Sequence, residues 1–364
     1  SDGYNPNLAP YDLTRGGLPF VFQDSRTITY LAGFLQDTIR WSHLTAEVGL
    51  RYEHANFPLS ESQLQPRVGV AYYIPATKTV LRVSYNRIFI TPEYENILFS
   101  SSAEASSLAP PEVQDSRALG EGLVLVPAAR QNVYMAGLEQ AIGSKLRLDL
   151  DFWERRVRYV ADQAQFENTG IVFPVAFDHG KLHGWNVRLD LAPLGGLTGY
   201  ASVGHVRAVY DPPLAGGLFL DTGALDAVTG GPFVIDHDQD LQIQGGLNYA
   251  FGKSGVWVAT SARYDSGLVT GADETIADDP DNSFALPFIR FGNGTDLDPN
   301  RVASRTIWNF SAGADLSSHG LPIAVQVDLL NAFDKVAVYN ILSTFGGTHV
   351  VPPRTVAARI KYLF

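Results

Sequence analysis

An all-β, antiparallel transmembrane barrel is the fold class that this 364-residue sequence predicts. Three observations predict it. Apolar and polar residues alternate with a period of two, and the connections between alternating segments are short and long by turns. No apolar run reaches the roughly 18 residues that a membrane helix needs. Any membrane crossing must therefore use strands.

Taken in order, alternating segments lie near residues 27–39, 43–54, 66–74, 78–88, 131–141, 145–160, 182–192, 197–209, 239–251, 255–266, 304–316, 321–330 and 353–364. In the second, Leu44, Ala46, Val48, Leu50 and Tyr52 oppose Thr45, Glu47, Gly49, Arg51 and Glu53. Further on, Leu146, Leu148, Leu150 and Phe152 oppose Arg147, Asp149, Asp151 and Trp153, and Trp185, Val187, Leu189 and Leu191 oppose Asn186, Arg188 and Asp190. The clearest case sets Leu241, Ile243, Gly245, Leu247, Tyr249 and Phe251 against Asp240, Gln242, Gln244, Gly246, Asn248 and Ala250. The faces of the segments at 27 and 197 are ambiguous.

Short turns fall at 41–42, 75–77, 143–144, 193–196, 252–254 and 317–320, and long loops at 55–65, 89–130, 161–181, 210–238, 267–303 and 331–352. A sheet with short turns at one end and long loops at the other is the pattern of an outer-membrane barrel, with the turns on the periplasmic side. The apolar faces carry no charge, as lipid requires, because one lysine or arginine at the bilayer midplane costs about 2–4 kcal/mol. Polar faces then line the lumen. Tyr52, Tyr72, Tyr85, Trp185, Tyr249, Tyr264 and Tyr362 fall near segment ends, where interfacial girdles belong.

Composition narrows the function. The chain has 27 basic and 38 acidic residues, a net charge of −11, and no basic cluster to neutralise phosphates, which argues against a nucleic-acid partner. With no cysteine there is no disulfide, thiolate metal site or cysteine nucleophile. The first residue is Ser1 and the single methionine is Met135, so a processed product, a fragment or one chain of a split protein is expected. Thirteen segments start and finish running inward, whereas bacterial single-chain barrels have even strand numbers. The expected organisation is an outer loop over 1–26 and a C-terminal barrel portion over 27–364, with further strands supplied elsewhere.

The stretches Phe34-Leu35-Gln36-Asp37, Val48-Gly49-Leu50-Arg51-Tyr52, Gln65-Pro66-Arg67-Val68-Gly69-Val70-Ala71-Tyr72, Val83-Ser84-Tyr85-Asn86-Arg87 and Asp328-Leu329-Leu330-Asn331-Ala332-Phe333-Asp334, with a terminal Phe364, resemble the TonB-dependent receptors. These are 22-stranded outer-membrane transporters with a plugged lumen. The loops are most similar to receptors carrying an N-terminal carboxypeptidase-regulatory-like domain. The resemblance implies uptake of a scarce ligand, such as a siderophore, metal complex, vitamin, saccharide or peptide, through a plug-gated lumen. As partners it implies outer-membrane lipid and lipopolysaccharide, a TonB-type energy-coupling protein and the barrel-assembly machinery. That machinery reads a terminal aromatic with alternating apolar residues, matched here by Ala358, Ile360, Tyr362 and Phe364. The plug, the energy-coupling box and about the first eight or nine strands have no counterpart in this sequence.

No His-Glu-x-x-His pattern, no Gly-x-Ser-x-Gly elbow and no correctly spaced phosphate loop occurs. No catalytic residue and no resident cofactor is expected. Asn331-Ala332-Phe333-Asp334 leaves a strand end and reads as structural. Negative charge concentrates in the long loops, with no basic residue between Arg207 and Lys253. Asp236, Asp238 and Asp240, with Tyr94 and Phe288, are the candidate ligand vestibule. Asp278, Asp279 and Asp281 are a candidate metal site, with Ca²⁺ the expected ion, and carboxylates at alternate positions such as Asp236, Asp238 and Asp240 can converge on a hard cation; the alternative is a solvated acidic loop. Other function classes are a passive 14-stranded porin formed by this chain alone, or a soluble β-rich glycosidase.

Overall fold

The computed structural model describes residues 6–56, 59–94, 98, 99, 102, 104, 108, 125–165, 169–217, 231–278, 283–342 and 348–362. Its strands, in chain order, are β1 (Tyr30–Trp41), β2 (Leu44–Ala55), β3 (Glu61–Ile74), β4 (Thr79–Ile90), β5 (Ala129–Ile142), β6 (Leu146–Gln165), β7 (Val172–Leu194), β8 (Leu197–Gly217), β9 (Phe233–Val234), β10 (Gln242–Ala250), β11 (Val256–Asp265), β12 (Ile289–Arg290), β13 (Arg301–Val302), β14 (Arg305–Asp315), β15 (Ile323–Leu330), β16 (Val338–Asn340), β17 (His349–Val350) and β18 (Thr355–Tyr362). One meander takes the order β1-β2-β3-β4-β5-β6-β7-β8-β10-β11-β14-β15-β18, with β9 added beside β8. Among the described residues every pairing is antiparallel, and the sheet is not closed. Each of the thirteen alternating segments supplies one strand of that path.

Register makes the two faces explicit. Following cross-strand partners from Trp41 gives Leu44, Tyr72, Leu81, Leu138, Leu150, Val187, Val203, Ile243 and Tyr264, apolar or aromatic on ten successive strands. One residue along, the partners of Thr45 are Ala71, Arg82, Gly137, Asp151, Asn186, Gly204, Gln242, Asp265 and Arg305. A slip of one residue would exchange these rows and put Arg82 and Asp151 into hydrocarbon, so register is strongly specified. The apolar row starts beside a short turn at Trp41 and finishes beside a long loop at Tyr264. Such a climb is the shear that strand tilt imposes on a barrel wall.

The apolar face looks outward. Val48, Leu50, Val83, Phe152, Leu247, Val327 and Ile360 are all exposed, Ile360 at 77%. Burying that surface takes lipid rather than a second layer of protein, and the described residues contain none over it. The turn at Gly195-Gly196 needs glycine at its second position. Gly196 has φ +91°, and a Cβ there would meet the Ala250 carbonyl oxygen at 2.3 Å.

Two expectations need correction. Residues 161–181 and 210–238 were expected as loops, but β6, β7 and β8 run on to 20, 23 and 21 residues. About ten residues of a tilted strand cross the hydrocarbon, so roughly half of each stands above it, where alternation is no longer imposed by lipid. The outward face is also charged there. Beyond Phe152 and Trp185 the same parity continues as Glu154, Arg156, Arg158 and as His183, Lys181, His179.

Candidate functional site: the outer mouth and the lumenal wall

The long loops gather above the wall in two clusters. In the first, Leu8 is buried with Phe99, Val157, Val160, Phe177, Tyr210 and Ile235, and Tyr11, Phe20 and Phe22 pack against them. Rings meet edge to face, Tyr11 with Phe20 at 5.0 Å and Phe22 with Phe99 at 5.3 Å. Val157 and Tyr210 share the register row of Gly180 on the lumenal side. The segment around residues 6–22 therefore packs inside the mouth rather than trailing from it. In the second cluster Ala272, Ile276, Ala285, Ile289, Val302, Val338 and Ile341 form a small apolar core with Phe288 against it. Gathering 267–303 and 331–342 into one cap removes backbone entropy from long loops, and this core offsets it.

Two buried ion pairs lie where the cap meets the wall, one holding β13 of the cap to the segment before β10 and the other joining the neighbouring wall strands β11 and β14. Arg301, 2% exposed, reaches the carboxylate of Asp238, which is fully buried. It also donates to the Asp238 carbonyl at 3.1 Å and lies 3.2 Å from Asp240. The Ala208 amide donates to the other Asp238 oxygen at 2.7 Å. Arg305 pairs with Asp265 at 3.3 Å, donates to the Val338 carbonyl at 3.1 Å and stacks on Tyr339 at 4.2 Å. Arg263 and Gln239 complete the Asp265 carboxylate. Buried charges need such pairing, and each aspartate here has it.

The vestibule carboxylates consequently do not converge on a shared cation position. Asp238 is taken by Arg301, Asp240 lies between Arg301 and Arg290 (3.8 Å), and Asp236 pairs with His237 at 2.7 Å. Asp236 holds the His237 imidazolium, raising its pKa above the usual histidine value. Among the described residues no group of three or more metal-ligating side chains is found. Asp278 is exposed on the cap, while Asp279 and Asp281 lie outside the described residues. Phe288 belongs to the cap core. Tyr94 is half-buried beside Glu93, whose carboxylate accepts from Gln163 at 2.6 Å. Tyr94 and Phe288 thus belong to separate parts of the rim. The arginines that neutralise the aspartates were missed in the sequence because Arg301 lies 63 residues from Asp238. The signal available was the acidic excess itself, which has to be balanced from elsewhere in the chain.

Below the mouth the lumenal wall carries a chain of ion pairs. Arg82 meets Asp151 at 2.8 Å, Asp149 at 3.4 Å and Glu139 at 3.7 Å. Arg147 meets Asp149 and Asp190, and Arg188 meets Asp190 at 2.7 Å and covers Tyr200 at 4.8 Å. Next to it the wall turns small and uncharged, through Gly246, Asn248, Ser261, Asn309 and Ser311. The concavity between these halves has a volume of 740 Å³. Ala358, Ile360 and Tyr362 lie on one outward row of β18, opposite Val327, Val325 and Ile323, and Phe364 lies outside the described residues.

A long-stranded meander with an outward apolar belt, a polar inner wall and a loop-capped mouth defines an outer-membrane transporter barrel. The family is specific. Residues 1–333 match the model of the TonB dependent receptor-like β-barrel, and the chain belongs to that family. It is accordingly a bacterial outer-membrane protein. No curated protein matches it. Among solved structures it is similar to the FrpB iron transporter of Neisseria meningitidis (F5-1 variant), with a TM-score of 0.63 at 15% identity over 92% of this chain and 46% of that one. The outer membrane transporter YddB from Escherichia coli gives 0.59 at 14%, covering 92% and 45%. The copper transporter OprC gives 0.62 at 13%, covering 93% and 47%. The chain thus spans under half the length of these relatives, and the likeness establishes the fold.

Proposed function

We propose that this chain is the C-terminal wall of a TonB-dependent uptake receptor, in which the outer loops capture a scarce ligand and a plug, held against the charged lumenal wall, gates its passage. The observation that carries the reading is the polar row on the inner face of a wall whose outer face stays apolar over ten successive strands. A wall so divided keeps an aqueous, ion-paired lumen inside lipid. The linked cluster from Glu139 through Arg82, Asp151, Asp149, Arg147 and Asp190 to Arg188 supports docking of a polar plug surface. Acidic residues at the mouth, including Asp273, Asp278, Asp296 and Asp298, favour approach of cationic solutes or metal complexes, and Ca²⁺ held by the cap loops belongs to the same reading. In it a TonB-type protein couples energy through the plug, and the barrel-assembly machinery reads the final strand. No catalytic role is assigned to any residue.

The test is uptake in cells that carry the full-length receptor, with and without the energy-coupling protein. Accumulation of the receptor's ligand that stops when coupling is removed, and falls when Arg82 and Arg188 are both changed to glutamine, supports the proposal. Uptake indifferent to coupling would return the passive porin, which the family does not favour.

A further inference from the structure

We propose that Asp37, on the outward face of β1, forms an ion pair inside the apolar belt with an arginine or lysine of the strand that takes the free edge of β1 in the full-length receptor, and that this pair sets the register of the join. Asp37 lies opposite Val48, whose outward row continues to Val68 and Tyr85, whereas Gln36 lies opposite Gly49 on the inner face. Its neighbours on the outward row of β1, Leu35 and Ile39, are exposed at 80% and 54%, and Asp37 is exposed with them. This one carboxylate is what makes the faces of the first segment ambiguous in the sequence.

Depth decides what such a charge means. Asp37 is four positions from Trp41 and the short turn, as Val48 is from Leu44, Val83 from Thr79 and Leu150 from Leu146. At about 3.3 Å per residue and a tilt near 40°, that places it roughly 10 Å above the turns, within an apolar band about 25 Å tall. An aspartate side chain is too short to bring its charge back to the headgroups from there, as a lysine or arginine can. Among the described residues its carboxylate accepts from the Thr38 amide at 2.8 Å and meets no cation.

A carboxylate in hydrocarbon is costly unless an opposite charge meets it, and ionisable groups at membrane depth occur in such pairs. The wall leaves one place for the partner. On one side β2 presents Val48, and on the other the edge of β1 is unpaired, because β1 begins the path. The chain covers 45% and 47% of the lengths of two solved relatives, so further wall exists in such receptors to take that edge. A strand there sets one outward side chain directly opposite Asp37. Slipping it by one residue would turn the cation into the lumen and leave Asp37 alone in lipid, so the pair fixes how the two parts of the wall meet.

The inference rests on the reading of this chain as one part of a larger wall, and not on uptake. The experiment is urea titration of the full-length receptor in lipid vesicles. Asp37→Leu should lower the folded-to-unfolded ratio about a hundredfold or more, because it strands the partner cation, although leucine is otherwise the better residue against lipid. Changing the outward arginine or lysine of the adjoining strand to methionine should lower the ratio as well, and the double variant should lose far less than the two single losses together. If Asp37→Leu alone fails to fold, as judged by heat-modifiable gel mobility, the double variant must restore folding. Unchanged or raised stability of Asp37→Leu, additive losses, or no recovery in the double variant would each overturn the proposal. An adjoining strand with no outward arginine or lysine beside Asp37 would remove this inference alone, whereas a full-length protein with no strand at the β1 edge would remove the larger wall with it.

Discussion

Asp238 and Arg301 show how one residue can decide the shape of the mouth. Both are buried, and removing one partner strands the other's charge, so Arg301→Ala should loosen the cap by about 3–5 kcal/mol. Hydrogen exchange across 267–303 reads this as lost protection while the strands below stay protected. His237 provides a pH dependence of known sign. Its raised pKa means that the Asp236 pairing stabilises the rim fully below the unfolded value near 6.5 and is lost as pH rises through the folded value. Asp162 acts in the same direction. Amide exchange at 231–240 should therefore rise faster between pH 6 and pH 9 in wild type than in His237→Gln. Asn331, at φ +46°, donates to the Lys335 and Pro352 carbonyls at 3.1 and 2.9 Å and accepts from the Lys335 amide. It is the structural residue that its motif promised, and Asn331→Ala should cost about 1–3 kcal/mol, measured by thermal unfolding in detergent.

At the level of strands, the prediction concerns parity. Leu247 faces outward at 51% exposure and Asn248 inward on β10. Leu247→Arg should lower folding stability by about 2–4 kcal/mol if near the midplane, whereas Asn248→Arg should leave it nearly unchanged. Urea titration in lipid vesicles compares them. All thirteen strands of the path could be placed from the sequence, and all but those at 27 and 197 could be given an outer and an inner face, because lipid on one side and water on the other impose a period of two. The upper halves of β6, β7 and β8 could not. Above the bilayer both faces meet water or loops, so a run such as Asp178-His179-Gly180-Lys181-Leu182-His183 keeps its extended backbone through pairing that its own sequence does not encode. The aromatics between the outer strand ends divide as well: Phe99 is buried and Phe288 packs against the cap core, whereas Phe284 and Phe291 are exposed, and only the folded neighbours decide this.

For the molecule as a whole, fold class was legible and the site was not. The lumenal ion pairs on neighbouring strands follow from register, since Arg82 and Asp151 share one row. Arg305 and Asp265 likewise are register partners on β14 and β11, but the mouth also depends on Arg301 returning to Asp238, a contact between loops for which no periodicity exists. An even path of reversals leaves β1 and β18 running the same way, so closing this meander on itself would require a parallel seam. Planar bilayers holding the 364-residue chain alone should accordingly show no stable conductance.

The diagonal climb of the apolar row has a mechanical meaning. Ladder hydrogen bonds lie across the strands, so a tug along any one strand strains its whole ladder together instead of opening it bond by bond. A wall laced in that manner yields as one body or not at all, much as a quilted sleeve keeps its form when a single seam is pulled.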